Sequence, residues 1–273
     1  MPSNRFNIDA WYHPDCQRPG AVSAKGGYFI GDDDSFLGFD PSFFGINPKE
    51  ATTMDPQQRK LLEVVYECFE SAGVTLDQVS GSQTGCYVGC FTLDCRLTQN
   101  RDVDFGAPYQ VTVSGGDRPM SLRLTCSAGR WFDHHKQSDQ LRLQSQRSQV
   151  RIILLNSEES RGLTFVIVNS VSIDTACSSS LYALHLACQA LLTGDCSAAI
   201  VGGTSIIMDI EQHMDTMRLG VLSPTSTCHT FDESADGFGR AEGIAAIYIK
   251  RLSDALIAGD SIRAVIRATA VNA

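Results

Sequence analysis

The sequence lacks any apolar run of membrane-spanning length, and its N-terminus lacks the hydrophobic core of a signal peptide. It also lacks an excess of positive charge, because 22 lysines and arginines stand against 31 aspartates and glutamates, giving a formal net charge of −9. Nucleic-acid-binding domains usually carry a basic patch or stripe, so that class is disfavoured. We therefore expect a cytoplasmic protein that binds neither membranes nor nucleic acids.

Two common cofactor patterns are missing as well. Ten cysteines are present, yet no Cys-x-x-Cys pair occurs and no histidine spacing completes a zinc site around Cys86, Cys90 and Cys95. We predict reduced structural thiols and no metal site. The segment GFGR at residues 237–240 contains neither a P-loop nor a complete dinucleotide-binding pattern, so we predict no bound cofactor.

Cys177 differs from the other nine cysteines in its local pattern. It lies in residues 174–180 (DTACSSS), between a strand-like run that ends near Ile173 and a helical pattern that ends at Gly194. The alternative for any single cysteine is a small buried hydrophobe, which we prefer for the other nine. A helix N-terminus favours the thiolate form of a cysteine, and nucleophilic side chains are often positioned at a strand–turn–helix junction. Cys177 is therefore the candidate nucleophile.

Strands and helices alternate along the chain. Asp55 and Pro56 predict the start of a helix that Gly73 ends, a second helix is expected over 210–219, and Ser253 is expected to cap a third. Further strands are predicted at 85–89, 198–203, 244–249 and 262–271. This alternation predicts a layered α/β fold.

The segment around Cys177 resembles the active-site segment of β-ketoacyl synthases, in particular the ketosynthase domains of fungal iterative type I polyketide synthases. Other segments resemble the same family in the same order, and the resemblance covers residues 4 to about 114 and 171 to 273. These segments are residues 5–9 (RFNID), 39–46 (FDPSFFGI), 54–59 (MDPQQR) and 235–243 (ADGFGRAEG).

The resemblance implies a thiolase-like fold, mainly its N-terminal half, layered α/β/α. It also implies an acyltransferase of the 3-oxoacyl-[acyl-carrier-protein] synthase type, in polyketide or fatty-acid biosynthesis. Cys177 would accept an acyl group from a phosphopantetheine thioester on an acyl carrier protein or domain, before decarboxylative Claisen condensation with malonyl thioester. The backbone N–H of Cys177 would donate to the oxyanion, and Phe238 would border the acyl channel. An intact domain would be a homodimer.

The sequence departs from the family pattern in two respects. The family uses two catalytic histidines, and none of the six histidines here lies in a matching context, so no catalytic histidine is carried over. We also expect residues 1–273 to form a partial ketosynthase N-terminal domain that contains an atypical, poorly ordered insert at 115–170, including a Gln/Ser/Arg-rich run. An unspliced intron or a compensated frameshift is one hypothesis for it. The alternative function is a non-catalytic truncated remnant or interaction fragment.

Overall fold

A computed structural model describes residues 1–2, 4–15, 18–31, 38–79, 82–101 and 167–272. Its strands are β1 (Thr84–Cys90), β2 (Ile167–Ile173), β3 (Ala198–Ser205) and β4 (Gly243–Lys250). Its α-helices are α1 (Pro48–Thr53), α2 (Pro56–Ala72), α3 (Leu76–Val79), α4 (Asp94–Arg101), α5 (Ser179–Thr193), α6 (Glu211–Arg218) and α7 (Leu252–Ala258), and a 3-10 turn spans Ile8–Ala10. Among these described residues, no helix combines the length and the apolar composition that a membrane span requires.

The four strands form one sheet in the order β2-β1-β3-β4. Strand β1 pairs in parallel with β2 on one side and with β3 on the other, whereas β4 runs antiparallel to β3. Every residue of β1 is buried, as expected for a central strand of a sheet covered on both faces. The strands predicted around residues 85–89, 198–203 and 244–249 are therefore confirmed.

Helix α2 covers one face of the sheet. Its N-cap is Asp55, whose carboxylate accepts a hydrogen bond from Gln57 N at 2.8 Å, and it ends at Gly73 in the left-handed conformation. Both helix ends were predicted from these residue types. The apolar stripe of α2 packs with inward side chains of β1 and β3 in a core formed by Leu61, Leu62, Val65, Phe69, Cys86, Val88 and Ile200, among others.

Helix α5 covers the opposite face. Its small residues Ala183, Ala187 and Ala190 pack with Tyr87 of β1 and Val201 of β3. Because neighbouring residues of a strand point to opposite faces, Tyr87 meets α5 while Val88 belongs to the core beneath α2. The sheet thus lies between two helical layers, and the predicted α/β/α arrangement is confirmed.

Two predictions near the C-terminus were wrong. Helix α7 is capped by Arg251 rather than Ser253. Residues 262–271 form no strand; they include a contact with α5 in which Thr269 Oγ1 lies 2.8 Å from His185 Nδ1. Alternating apolar residues give a segment strand propensity, but a strand also needs a hydrogen-bonded neighbour, and this segment has none among the described residues.

The predicted insert at 115–170 lies largely outside the described residues. Only residues 167–170 of it are described, and they form the first part of β2.

Candidate active site at the β2–α5 junction

The candidate nucleophile lies in the turn that joins β2 to α5. Strand β2 ends at Ile173, α5 begins at Ser179, and the N-cap residue is Ser178, so Cys177 immediately precedes the cap. Its side chain is exposed. The predicted position, at a helix N-terminus after a strand, is what the structure shows, and it leaves the sulfur accessible to a reagent arriving from solvent.

The backbone of this turn is held in an uncommon conformation. Ala176 has a φ of +55°, in the left-handed region that costs a residue with a Cβ about 1–2 kcal/mol. Side chains stabilise the turn on both sides: Asp174 Oδ1 accepts from Ala176 N at 3.0 Å, and Ser178 Oγ donates to Thr175 O at 2.8 Å. Strained backbone of this kind is frequent at functional sites.

Two glycines allow the first turn of α5 to approach the sheet closely. A Cβ on Gly89 of β1 would lie 2.3 Å from Ser180 N, and a Cβ on Gly203 of β3 would lie 2.8 Å from Ser180 Cβ. Any larger residue at Gly89 would displace the helix that follows Cys177. The sequence alone does not distinguish these two positions, because an isolated glycine in a strand indicates a close approach without identifying the partner.

Exposure distinguishes two of the described cysteines from the other six. Burial raises the pKa of Cys86 to about 12 and, as the largest influence, that of Cys95 to about 12, which makes both thiols poor nucleophiles. Cys177 and Cys228 are exposed, so the prediction of a buried thiol was wrong for Cys228. Cys228 lies in a loop, where its Sγ accepts from Gly239 N at 3.3 Å. All eight described cysteines are free, and no group of three potential metal ligands occurs in the described ranges.

Phe238, the predicted channel residue, is exposed in a separate loop. Its N–H donates to Val221 O at 2.9 Å, and its carbonyl accepts from Ser223 N at 3.0 Å. The preceding Gly237 has a φ of +140°, and a Cβ there would lie 2.4 Å from Ser223 N, so only glycine fits. These hydrogen bonds join Phe238 to residues 221–223 and do not connect it with the Cys177 turn.

The described histidines have local partners away from this turn. His213 is buried, its Nε2 lies 2.9 Å from Ala24 O, and burial lowers its pKa. His185 lies on α5, partly buried against Thr269, which agrees with the packed or partly exposed helix position predicted for it. No hydrogen bond described here links either histidine with Cys177.

A buried ion pair that no sequence pattern indicated joins the residue immediately before β4 to the N-terminal segment. Arg5 Nε donates to Glu242 Oε1 at 2.8 Å and Arg5 Nη2 donates to Oε2 at 2.9 Å, with both side chains at most 1% exposed. The same carboxylate accepts from Ile207 N at 3.0 Å and from Ile30 N at 2.8 Å. Both residues lie in segments that resembled the family, but no local signal pairs them across the chain.

The fold and the junction cysteine define a recognisable class of protein. Residues 1–115 and 169–255 match the family model described as "Beta-ketoacyl synthase, N-terminal domain". The chain therefore belongs to the β-ketoacyl synthase family, and its fold is thiolase-like. The resemblance seen in the sequence is confirmed.

Within that family, the chain is similar to several fungal polyketide synthases. It is 54% identical over 273 residues to the highly reducing polyketide synthase rstn3 of Aspergillus nomiae, covering all of this chain and 9% of that protein. It is also 54% identical over 273 residues to the highly reducing polyketide synthase resH of Aspergillus sclerotiorum, again covering all of this chain and 9% of that protein. The chain thus spans about a tenth of the length of the curated relatives it matches.

Solved structures of ketosynthases share the fold. The oxazolomycin ketosynthase domain OzmH KS7 of Streptomyces albus JA3453 is 28% identical, with a TM-score of 0.65, and the match covers 96% of this chain and 39% of that one.

Proposed function

We propose that Cys177 accepts an acyl group from a carrier-bound thioester, as the first half-reaction of a β-ketoacyl synthase. The observation that carries this proposal is the exposed Cys177 at the strand–helix junction of a chain in this family. The thiolate attacks the thioester carbonyl carbon, and the carbonyl electrons move to oxygen. Collapse of this intermediate breaks the bond to the phosphopantetheine sulfur, which leaves as a thiolate. The product is an acyl thioester on Cys177.

The Cys177 backbone supports the proposed oxyanion role. Among the described residues, its N–H donates no hydrogen bond to another protein group, so it is available to an incoming oxygen. An amide fixed in a turn stabilises developing negative charge without reorganising during the reaction. This availability favours the backbone of Cys177, rather than a side chain, as the oxyanion donor.

For the intact protein we propose the complete synthase reaction. The carbanion formed when malonyl thioester loses carbon dioxide would attack the acyl carbon on Cys177. The bond between that carbon and Cys177 Sγ would then break, releasing the Cys177 thiolate and giving a β-ketoacyl thioester in polyketide biosynthesis. An acyl carrier protein or domain would deliver both substrates on a phosphopantetheine arm, and Phe238 would border the acyl channel. The similarity to the fungal polyketide synthases supports this assignment.

We further propose that intact domains pair through β2. This strand lies at the end of the sheet order, so among the described strands it has a neighbour only on the β1 side. Exposed strand edges readily pair with another chain. A second copy of β2 is a matching partner for such an edge.

We also propose that residues 1–273 belong to one partial domain, with residues 115–170 as an insert within it. The family match on both sides of this segment, ending at 115 and resuming at 169, supports the proposal.

The acylation step is testable by mass spectrometry of the purified chain. Incubation with an acyl thioester should add one acyl mass, and peptide mapping should place it at Cys177. Cys177→Ala should abolish the adduct, whereas Cys228→Ala, which removes the other exposed described cysteine, should retain it. A folded wild-type chain without any adduct would instead favour a non-catalytic remnant.

A further inference from the structure

We propose that Ser179 is a positioning residue that fixes the direction of the Cys177 N–H. The inference rests on the proposed acylation of Cys177 and adds a specific residue to its oxyanion site. Ser179 is the first residue of α5 and is only 4% exposed, so its hydroxyl has to bond within the protein. Both of its hydrogen bonds go to the strained turn.

The Ser179 hydroxyl bridges the two sides of Ala176. It accepts a hydrogen bond from Thr175 N at 3.0 Å and donates one to Ala176 O at 2.5 Å. The second bond matters most, because Ala176 O and Cys177 N–H belong to the same peptide group. A trans peptide is planar, with its C=O and N–H pointing in opposite directions. Holding Ala176 O toward α5 therefore directs the Cys177 N–H away from the helix.

Without this hydroxyl the peptide group is weakly held. The remaining backbone bond to Ala176 O comes from Ser179 N at 3.2 Å, at the long end of the usual range. The positive φ of Ala176 disfavours the observed conformation, so a freed turn is expected to populate others. Any rotation of the peptide plane turns the N–H away from the oxyanion while leaving the sulfur in place.

The two neighbouring serines differ from Ser179 in their hydrogen bonds, and Ser180 provides a matched control. Ser178 Oγ donates to Thr175 O at 2.8 Å, which belongs to the preceding peptide group. Ser180 is exposed, and its hydroxyl makes no hydrogen bond among the described residues. Of the three hydroxyls, only that of Ser179 bonds to the peptide group that contains the Cys177 N–H.

The test compares two reactions of the same sulfur in the full chain. Acyl transfer from a saturating acyl thioester needs oxyanion stabilisation, whereas alkylation by iodoacetamide displaces iodide and develops no oxyanion. In Ser179→Ala the acylation rate should fall roughly 10- to 100-fold, since deleting a whole oxyanion donor costs about 100- to 1000-fold. The alkylation rate of Cys177 should stay within about twofold. Ser180→Ala should match wild type in both reactions, and Ser179→Thr, which keeps the hydroxyl, should restore most of the acylation rate.

The results that would contradict the role of Ser179 differ from the result that would contradict the proposed function. Equal losses of acylation and alkylation in Ser179→Ala, or no loss of either, would overturn the positioning role. Failure of Ser179→Thr to recover acylation while alkylation stays normal would also count against it. If wild type is not acylated at Cys177, the proposed function itself fails and this inference falls with it.

Discussion

Replacing Glu242 by glutamine should destabilise the fold by about 3–5 kcal/mol, the usual effect of removing one partner from a buried ion pair. Each carboxylate oxygen accepts two hydrogen bonds: Oε1 from Arg5 Nε and Ile207 N, and Oε2 from Arg5 Nη2 and Ile30 N. Glutamine must place its NH₂ group at one of these positions. In either orientation the glutamine NH₂ group, which is a donor, faces one N–H donor of Arg5 and one backbone N–H donor. Arg5 also loses the negative charge that balanced its own charge.

Urea unfolding followed by circular dichroism measures this loss directly. The matched control is Glu63→Gln, which removes the same charge from a partly exposed pair with Lys60 at 2.9 Å. An ion pair in contact with water contributes about 0–1 kcal/mol, so the control should change stability by about 0.5 kcal/mol. A loss below about 1 kcal/mol in Glu242→Gln, or a loss equal to that of Glu63→Gln, would refute the reasoning.

Two further substitutions test the site and its surroundings. Gly89→Ala should lower the free energy of unfolding by about 1–3 kcal/mol and slow acylation, because its Cβ would lie 2.3 Å from a backbone nitrogen of α5. Gly243→Ala, with no atom within 4 Å of its added Cβ, is the control, and equal effects in urea unfolding would contradict this prediction. Burial of the Asp55 carboxyl raises its pKa from 3.8 to about 6. The hydrogen bonds from Gln57 lower the pKa, but the effect of burial is larger. The native state therefore binds more protons than the unfolded state between about pH 4 and 6, and stability falls as pH rises through this window. Asp55→Asn should reduce this fall in stability with rising pH. If the free energy of unfolding of the variant differed from that of wild type by the same amount at pH 4 and at pH 7, the explanation would be excluded.

Features set by neighbouring residues were predictable from the sequence. Asp55, Pro56 and Gly73 fixed the limits of α2, because capping depends on residues within one turn of a helix end. The position of Cys177 between a strand and a helix followed from the change of apolar period on either side of it.

Features set by distant residues were not predictable. Nothing in the sequence pairs Arg5 with Glu242, and nothing at Gly89 shows which helix approaches it. The segment 262–271 has a strand pattern, yet strand formation depends on a neighbour that the pattern cannot identify. Likewise, the sequence does not distinguish the three serines that follow Cys177. Only the hydrogen bonds of the folded turn show that Ser179 contacts a different peptide group from the one that Ser178 contacts.

The central position of β1 also has a consequence for the order of folding during synthesis. Its two partners, β2 and β3, follow it by a long stretch of chain, as the pairing of Thr84 with Ile167 and with Ala198 shows. Pairing over such separations is slow, and until it occurs the apolar strand remains open to aggregation. A ribosome that has produced only α2 and β1 therefore presents an unprotected hydrophobic strand. We expect this strand to remain prone to aggregation until β3 emerges and completes the centre of the sheet.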